Sequence, residues 1–129
     1  RGLVGAEMCI RDRPSPVGPY NQAILFNNTL YASGQIAINP LNNQIINEDI
    51  EAETKQVMEN LNEVLKEAKM DFSNVVKCTI FLKDMNDFES VNQIYSTFFN
   101  EKDAPARETV EVSMLPKNVN VEISLIAIV

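Results

Sequence analysis

The segment APARETVEVSMLPKNVNVEI, residues 104–123, places Arg107 at the start of one alternating run and Glu122 in a second run beyond a Pro-Lys-Asn interruption. A guanidinium presents paired planar donors that match a carboxylate, so an arginine near a strand end can hold a small acid. A glutamate flanked by Val121 and Ile123 is costly to bury without a partner, and partly desolvated carboxylates are suited to acid–base work. The chain has no histidine and only two cysteines, Cys9 and Cys78, among its 129 residues. Carboxylate, guanidinium, hydroxyl and backbone are therefore the chemistry on offer, and a Cys/His zinc site, a disulfide framework and a histidine base are poorly supported.

Each of these residues also has a simpler use. Alternation sets Arg107, Thr109, Glu111 and Ser113 on one face of their strand and Val110, Val112 and Met114 on the other. An ordinary surface ion pair is the commoner fate of such an arginine. Glu122 shares its side with Asn120 and Ser124, and an ion pair with a lysine such as Lys117 competes evenly with a chemical role. Tyr20 follows a stiff Gly-Pro, and Ser33-Gly34 falls at an expected bulge where glycine allows close approach to the backbone. A half-buried tyrosine and a tolerated bulge are the plainer interpretation. Cys78 alternates with Val76, Ile80 and Leu82, which makes it an inert core thiol. Four glycines form no phosphate-cradling motif.

The elements that must carry these residues follow from periodicity. Two short β-prone runs flank Asn27-Asn28, a pair able to take positive φ in a tight hairpin, and Ile45-Ile46 suggests a brief further strand. Asn47 is the expected cap of a helix whose stripe, Ile50, Val57, Met58, Leu61, Val64, Leu65 and Ala68, runs to about Met70. NVVKCTIFLKD reads as a strand. Phe88, Val91, Tyr95, Phe98 and Phe99 mark a second helix capped by Asp84 or Asn86, and two strands complete an α+β order. The last strand, apolar on both parities, should be central. Two helices can cover one face of such a sheet, which leaves the other face for a second subunit.

Length fits one domain. Residues 1–13, RGLVGAEMCIRDR, show neither period, look like translated adaptor sequence, and stand apart from a domain over 14–129. A net charge of −7 argues against a nucleic-acid partner. No run approaches the roughly 20 apolar residues of a membrane span, and no secretory signal is evident, so a cytoplasmic protein without a membrane partner is expected.

GPYNQA, ASGQI, VNQIYSTFF and APARETVEVSMLPKNVNVEISLIAI together resemble the Rid (reactive intermediate deaminase) family of enamine/imine deaminases, over residues 14–129. The resemblance implies a chorismate-mutase-like fold, a mixed sheet with two helices on one face, assembled as a homotrimer with sites between subunits. It implies that Arg107 clamps the substrate carboxylate and that Glu122 holds the attacking water. It also implies that Tyr20 leans in from the neighbouring subunit, that Ser33, Gly34 and Asn92 shape the pocket, and that the Thr109 backbone touches the reacting end. The implied reaction, hydrolysis of 2-aminoacrylate and related 2-imino acids to 2-keto acids and ammonia, uses no cofactor. Family members commonly carry cysteine where this chain has Thr109. Two rivals are a non-catalytic, acid-binding or regulatory trimer and an RNA-cleaving translation inhibitor.

Overall fold

Asn27 adopts a left-handed φ of 56°, and the two-residue turn it makes with Asn28 brings Phe26 opposite Thr29. This joins β2 (Ala23–Phe26) to β3 (Thr29–Gln35) as the expected antiparallel hairpin. The computed structural model describes residues 8–10 and 21–129. Within the first thirteen residues, read from sequence as standing apart, β1 (Met8–Ile10) pairs antiparallel with β2 and forms an edge of the sheet.

The first helix, α1 (Ile50–Glu67), is capped two residues later than expected. Asp49, not Asn47, is the N-cap, and its side chain accepts from the Ala52 amide at 2.7 Å. Starting at Ile50 turns the apolar stripe onto the sheet while Glu51 and Glu53 sit at the positive end of the helix dipole. The helix stops short of Met70 because Lys69 takes φ of 60°. Ile45 makes only an isolated bridge to Ile38, so the brief extra strand does not form.

After β4 (Val75–Leu82), Asp84 caps a 3₁₀ turn over Met85–Asp87, and Asp87 opens α2 (Phe88–Ser96) without a side-chain capping bond. The expected cap thus serves the turn that precedes the helix. Phe98 and Phe99 fall beyond α2, where they pack with Phe72 and Tyr95 at centroid separations of 4.8–5.3 Å. A register shift at the start of β4 buries Val75 and turns Val76 outward, so Val76 leaves the alternation that Cys78, Ile80 and Leu82 keep.

β5 (Ala106–Glu111) and β6 (Val121–Ile128) complete a six-stranded sheet in the order β1-β2-β3-β6-β4-β5. Among the described residues only the β4–β5 pair is parallel, with α2 in the crossover. β6 is central, as its composition requires, but β4 lies between it and β5, so the strands of Arg107 and Glu122 are not neighbours. One face of the sheet buries Leu30, Ile80, Leu82, Val121, Ile123 and Leu125 against α1 and α2. The other face carries Phe26, Tyr31, Val110 and Ile128, each 41–50% exposed, and no described helix lies over it.

Candidate functional site

Glu122 follows Val121 at the start of β6, and its pairing with Phe81 of β4 puts it on the open face of the sheet. Across from it, one extra residue in β3 between Ala32 and Gln35 makes a bulge at Ser33-Gly34. Gly34 lies so close to Glu122 that an added Cβ would sit 2.7 Å from Glu122 Cδ. The bulge is tied down by Ser33, whose amide donates to Gln22 O and whose hydroxyl donates to Asn21 O, both at 2.8 Å. Partial burial raises the pKa of the Glu122 carboxyl above the ordinary glutamate value. Among the described residues, no lysine pairs with Glu122 and nothing donates to it, so the Lys117 ion pair does not form.

Arg107 belongs to the opposite face. It pairs in register with buried Cys78, and α2 packs on that side. Its guanidinium lies 5.0 Å from the Tyr95 ring centroid and 5.6 Å from that of Phe88. Nη1 donates to Asn92 Oδ1. No described carboxylate neutralises it, which leaves a stacked, oriented cation facing a cleft of about 870 Å³ lined by Asn92, Tyr95, Ser96, Phe99 and Pro105 among others. Thr109 is two residues along the same face, and its buried hydroxyl oxygen has no hydrogen-bond partner among the described residues.

Cys78 is fully buried, and burial raises its thiol pKa despite the Tyr95 hydroxyl and Arg107 nearby. It is an unreactive core thiol, as its alternation indicated. The Tyr95 hydroxyl is also held protonated by burial. Sulfur is a weak partner, and among the described residues the hydroxyl has no hydrogen bond of ordinary geometry.

The seven residues singled out from sequence thus fall into separate groups. Ser33, Gly34 and Glu122 meet where β3 and β6 pair, whereas Arg107 is held by Asn92 of α2 and Thr109 lies two residues along β5 on the same face as Arg107. Tyr20 lies outside the described residues. The aromatic stripe that marks the second helix also supplies the rings that flank Arg107, those of Phe88 and Tyr95. Of the three buried polar residues of α1, Thr54 bonds within the helix, to Ile50 O, while Glu53 and Asn60, which the sequence did not single out, reach other segments. Glu53 accepts from Asn120 N at 2.7 Å, Asn120 Nδ2 at 2.9 Å and Val121 N at 3.2 Å, and Asn60 Nδ2 donates to Ile36 O at 3.1 Å and Ile38 O at 2.9 Å. Their signal was a polar residue inside an apolar stripe, three after Ile50 in one case and three after Val57 in the other.

Comparison with known proteins agrees with this architecture. The family described as Endoribonuclease L-PSP matches residues 10–129. The chain belongs to that family. A RutC family protein of Synechocystis is 54% identical over 116 residues, covering 89% of each chain. Human 2-iminobutanoate/2-iminopropanoate deaminase is 44% identical over 115 residues, covering 89% of this chain and 83% of the human one. The crystal structure of a Rid-family protein of unknown function from Yersinia pestis superposes with a TM-score of 0.91 at 48% identity, covering 96% of this chain and all of that one. The Rid resemblance and the chorismate-mutase-like fold expected from the motifs both hold.

Proposed function

We propose that the chain hydrolyses 2-aminoacrylate-type enamines, through their 2-imino acid tautomers, to 2-keto acids and ammonia, in a site completed by a second copy of itself. The observation that carries this reading is that Arg107 and Glu122, neither of them ion-paired among the described residues, occupy opposite faces of one sheet. A single chain cannot close both onto one small molecule, whereas a cyclic homotrimer places the α2 side of one subunit against the open face of the next. The deaminase name of the human relative supports the reaction class. The fold is the domain over residues 14–129, with β1 added at its edge.

In the assembled site Arg107, oriented by Asn92 and the rings of Phe88 and Tyr95, takes the substrate carboxylate through two parallel hydrogen bonds. The outer edge of β5 at Thr109 offers backbone groups to the reacting end, and Ser33, Gly34 and Tyr20 of the neighbour wall the pocket. Protonation of the enamine carbon gives the imine. Water held by Glu122 attacks C2 of the protonated imine as the carboxylate accepts its proton. That proton passes on to nitrogen, and the carbinolamine hydroxyl gives its own proton back to the carboxylate as ammonia departs and the keto acid forms. The imine carbon is already electrophilic, so positioning and one proton shuttle suffice. No cofactor enters this scheme. The net charge of −7 and the lack of histidine count against RNA as the substrate.

The test is ammonia and keto-acid release from imino acids made in situ by an amino-acid oxidase. Acceleration by the parent, lost in Arg107→Ala, supports the reading. Binding of keto acids with no acceleration would make the chain an acid-binding assembly instead.

A further inference from the structure

We infer that Glu53 and Asn60 of α1 are positioning residues that together set the Gly34–Glu122 approach, an inference that rests on the proposed role of Glu122. The two are seven residues apart, so they project from the same side of α1, two turns from one another. Each reaches the chain at the end of a different one of the two strands that meet at the candidate site: Asn120 and Val121 where β6 begins, Ile36 and Ile38 just past β3. Glu53, completely buried, takes two backbone amides and one side-chain amide from Asn120 and Val121, the residues immediately before Glu122. Asn120 is held from the far side as well, because its carbonyl accepts from Lys83 N at 3.0 Å. Asn60, 2% exposed, takes the carbonyls of Ile36 and Ile38, just beyond the Ser33-Gly34 bulge, and is itself braced by Gln56 Nε2 at 2.9 Å.

Burying a carboxylate and an amide inside an apolar stripe is unfavourable unless every donor and acceptor finds a partner. A leucine at position 53 would satisfy the packing of α1 equally well, so packing does not explain the glutamate. What only an acceptor can do there is fix the rotation of β6 about its axis at residues 120 and 121. Side chains alternate along a strand, so that rotation sets the direction of Glu122. Asn60 does the same for the chain leaving Gly34, and the helix between them acts as a rigid spacer. Displacement of a reacting group by an ångström lowers turnover by about 10²-fold in well-ordered sites.

The experiment measures kcat, KM and melting temperature for Glu53→Leu, Glu53→Gln and Asn120→Ala, with Glu122→Gln as reference. Gln keeps an acceptor for the two backbone amides, and the part-buried Asn120 side chain can turn its amide so that its oxygen accepts from the new amide group. Glu53→Leu is expected to lower kcat about 10–100-fold with KM within about 3-fold, while Glu53→Gln stays within about 3-fold of the parent. Asn120→Ala, which removes one of three bonds, should fold and lose kcat about 3–10-fold. Should Glu53→Leu not fold, Asn120→Ala decides alone. The inference is overturned by parental kcat in Asn120→Ala, by parental kcat in a folded Glu53→Leu, or by losses that follow the unfolded fraction. A reference Glu122→Gln as active as the parent would instead overturn the role of Glu122 itself, a separate outcome.

Discussion

Gly34 and Glu122 meet across the β3–β6 pair with no room for a methyl group between them. The neighbour a Cβ would meet is the flexible end of a side chain rather than backbone, so Gly34→Ala is accommodated by swinging the Glu122 carboxylate away. The melting temperature should change little, while imine hydrolysis falls by about 10²-fold, as for a displaced reacting group. Thermal melting beside the ammonia assay checks both; unchanged turnover would show that the carboxylate need not sit where it does.

Glu122 also has a pH signature. Its folded pKa is raised by burial, so the native state binds this proton more tightly than the unfolded chain. The stabilising contribution of the protonated group is present in full below the unfolded pKa and is lost as pH rises through the raised folded value. Glu122→Gln should therefore melt higher than the parent at neutral pH, with the difference closing in acid below the ordinary glutamate range. Its turnover should fall roughly 10²–10⁴-fold, and the acid limb of the parental kcat/KM profile should disappear.

Arg107→Lys retains charge and loses the fork, the stacking geometry and the Asn92 bond. Charge-assisted hydrogen bonds are worth about 1.5–3 kcal/mol, so keto-acid binding should weaken by roughly 10- to 150-fold. Isothermal titration with a 2-keto acid reads this directly, and parental affinity would remove the bidentate clamp.

Much of this site was legible in the residues, and the rest was hidden for physical reasons. Alternation assigned Glu122 to its strand face and set Arg107 opposite Val110, and the Ser33-Gly34 bulge followed from a glycine inside a β-prone run. Alternation says nothing about strand order, so the insertion of β4 between β5 and β6, and with it the separation of Arg107 from Glu122, required the tertiary fold. The cap at Asp49 was missed because Asn47, Glu48 and Asp49 are all competent N-terminal residues and the choice falls to how the stripe meets the sheet. Glu53 and Asn60 were passed over because their partners, Asn120 and Ile36, lie 67 and 24 residues away.

The open face makes a prediction of its own. Tyr31 is half exposed, pairs with Ile24 and Ile126, and lies away from the helices. Tyr31→Glu leaves the helix-covered core intact and sets a charge on the surface assigned to the subunit interface. Sedimentation should show a trimer for the parent and a folded monomer for the variant, with imine hydrolysis lost alongside assembly. A parent that sediments as a monomer at micromolar concentration would remove the intersubunit site.

The most direct measurement mixes two inactive variants. Arg107→Ala keeps a sound Glu122, and Glu122→Gln keeps a sound Arg107, so a site built from two chains can draw one intact residue from each. After unfolding and co-refolding at equal amounts, random assembly makes about a quarter of the sites fully intact, and imine hydrolysis should return to about a quarter of the parental rate. If Arg107 and Glu122 serve one site from the same chain, every site in the mixture carries a defect, and the mixture will stay as inactive as its components.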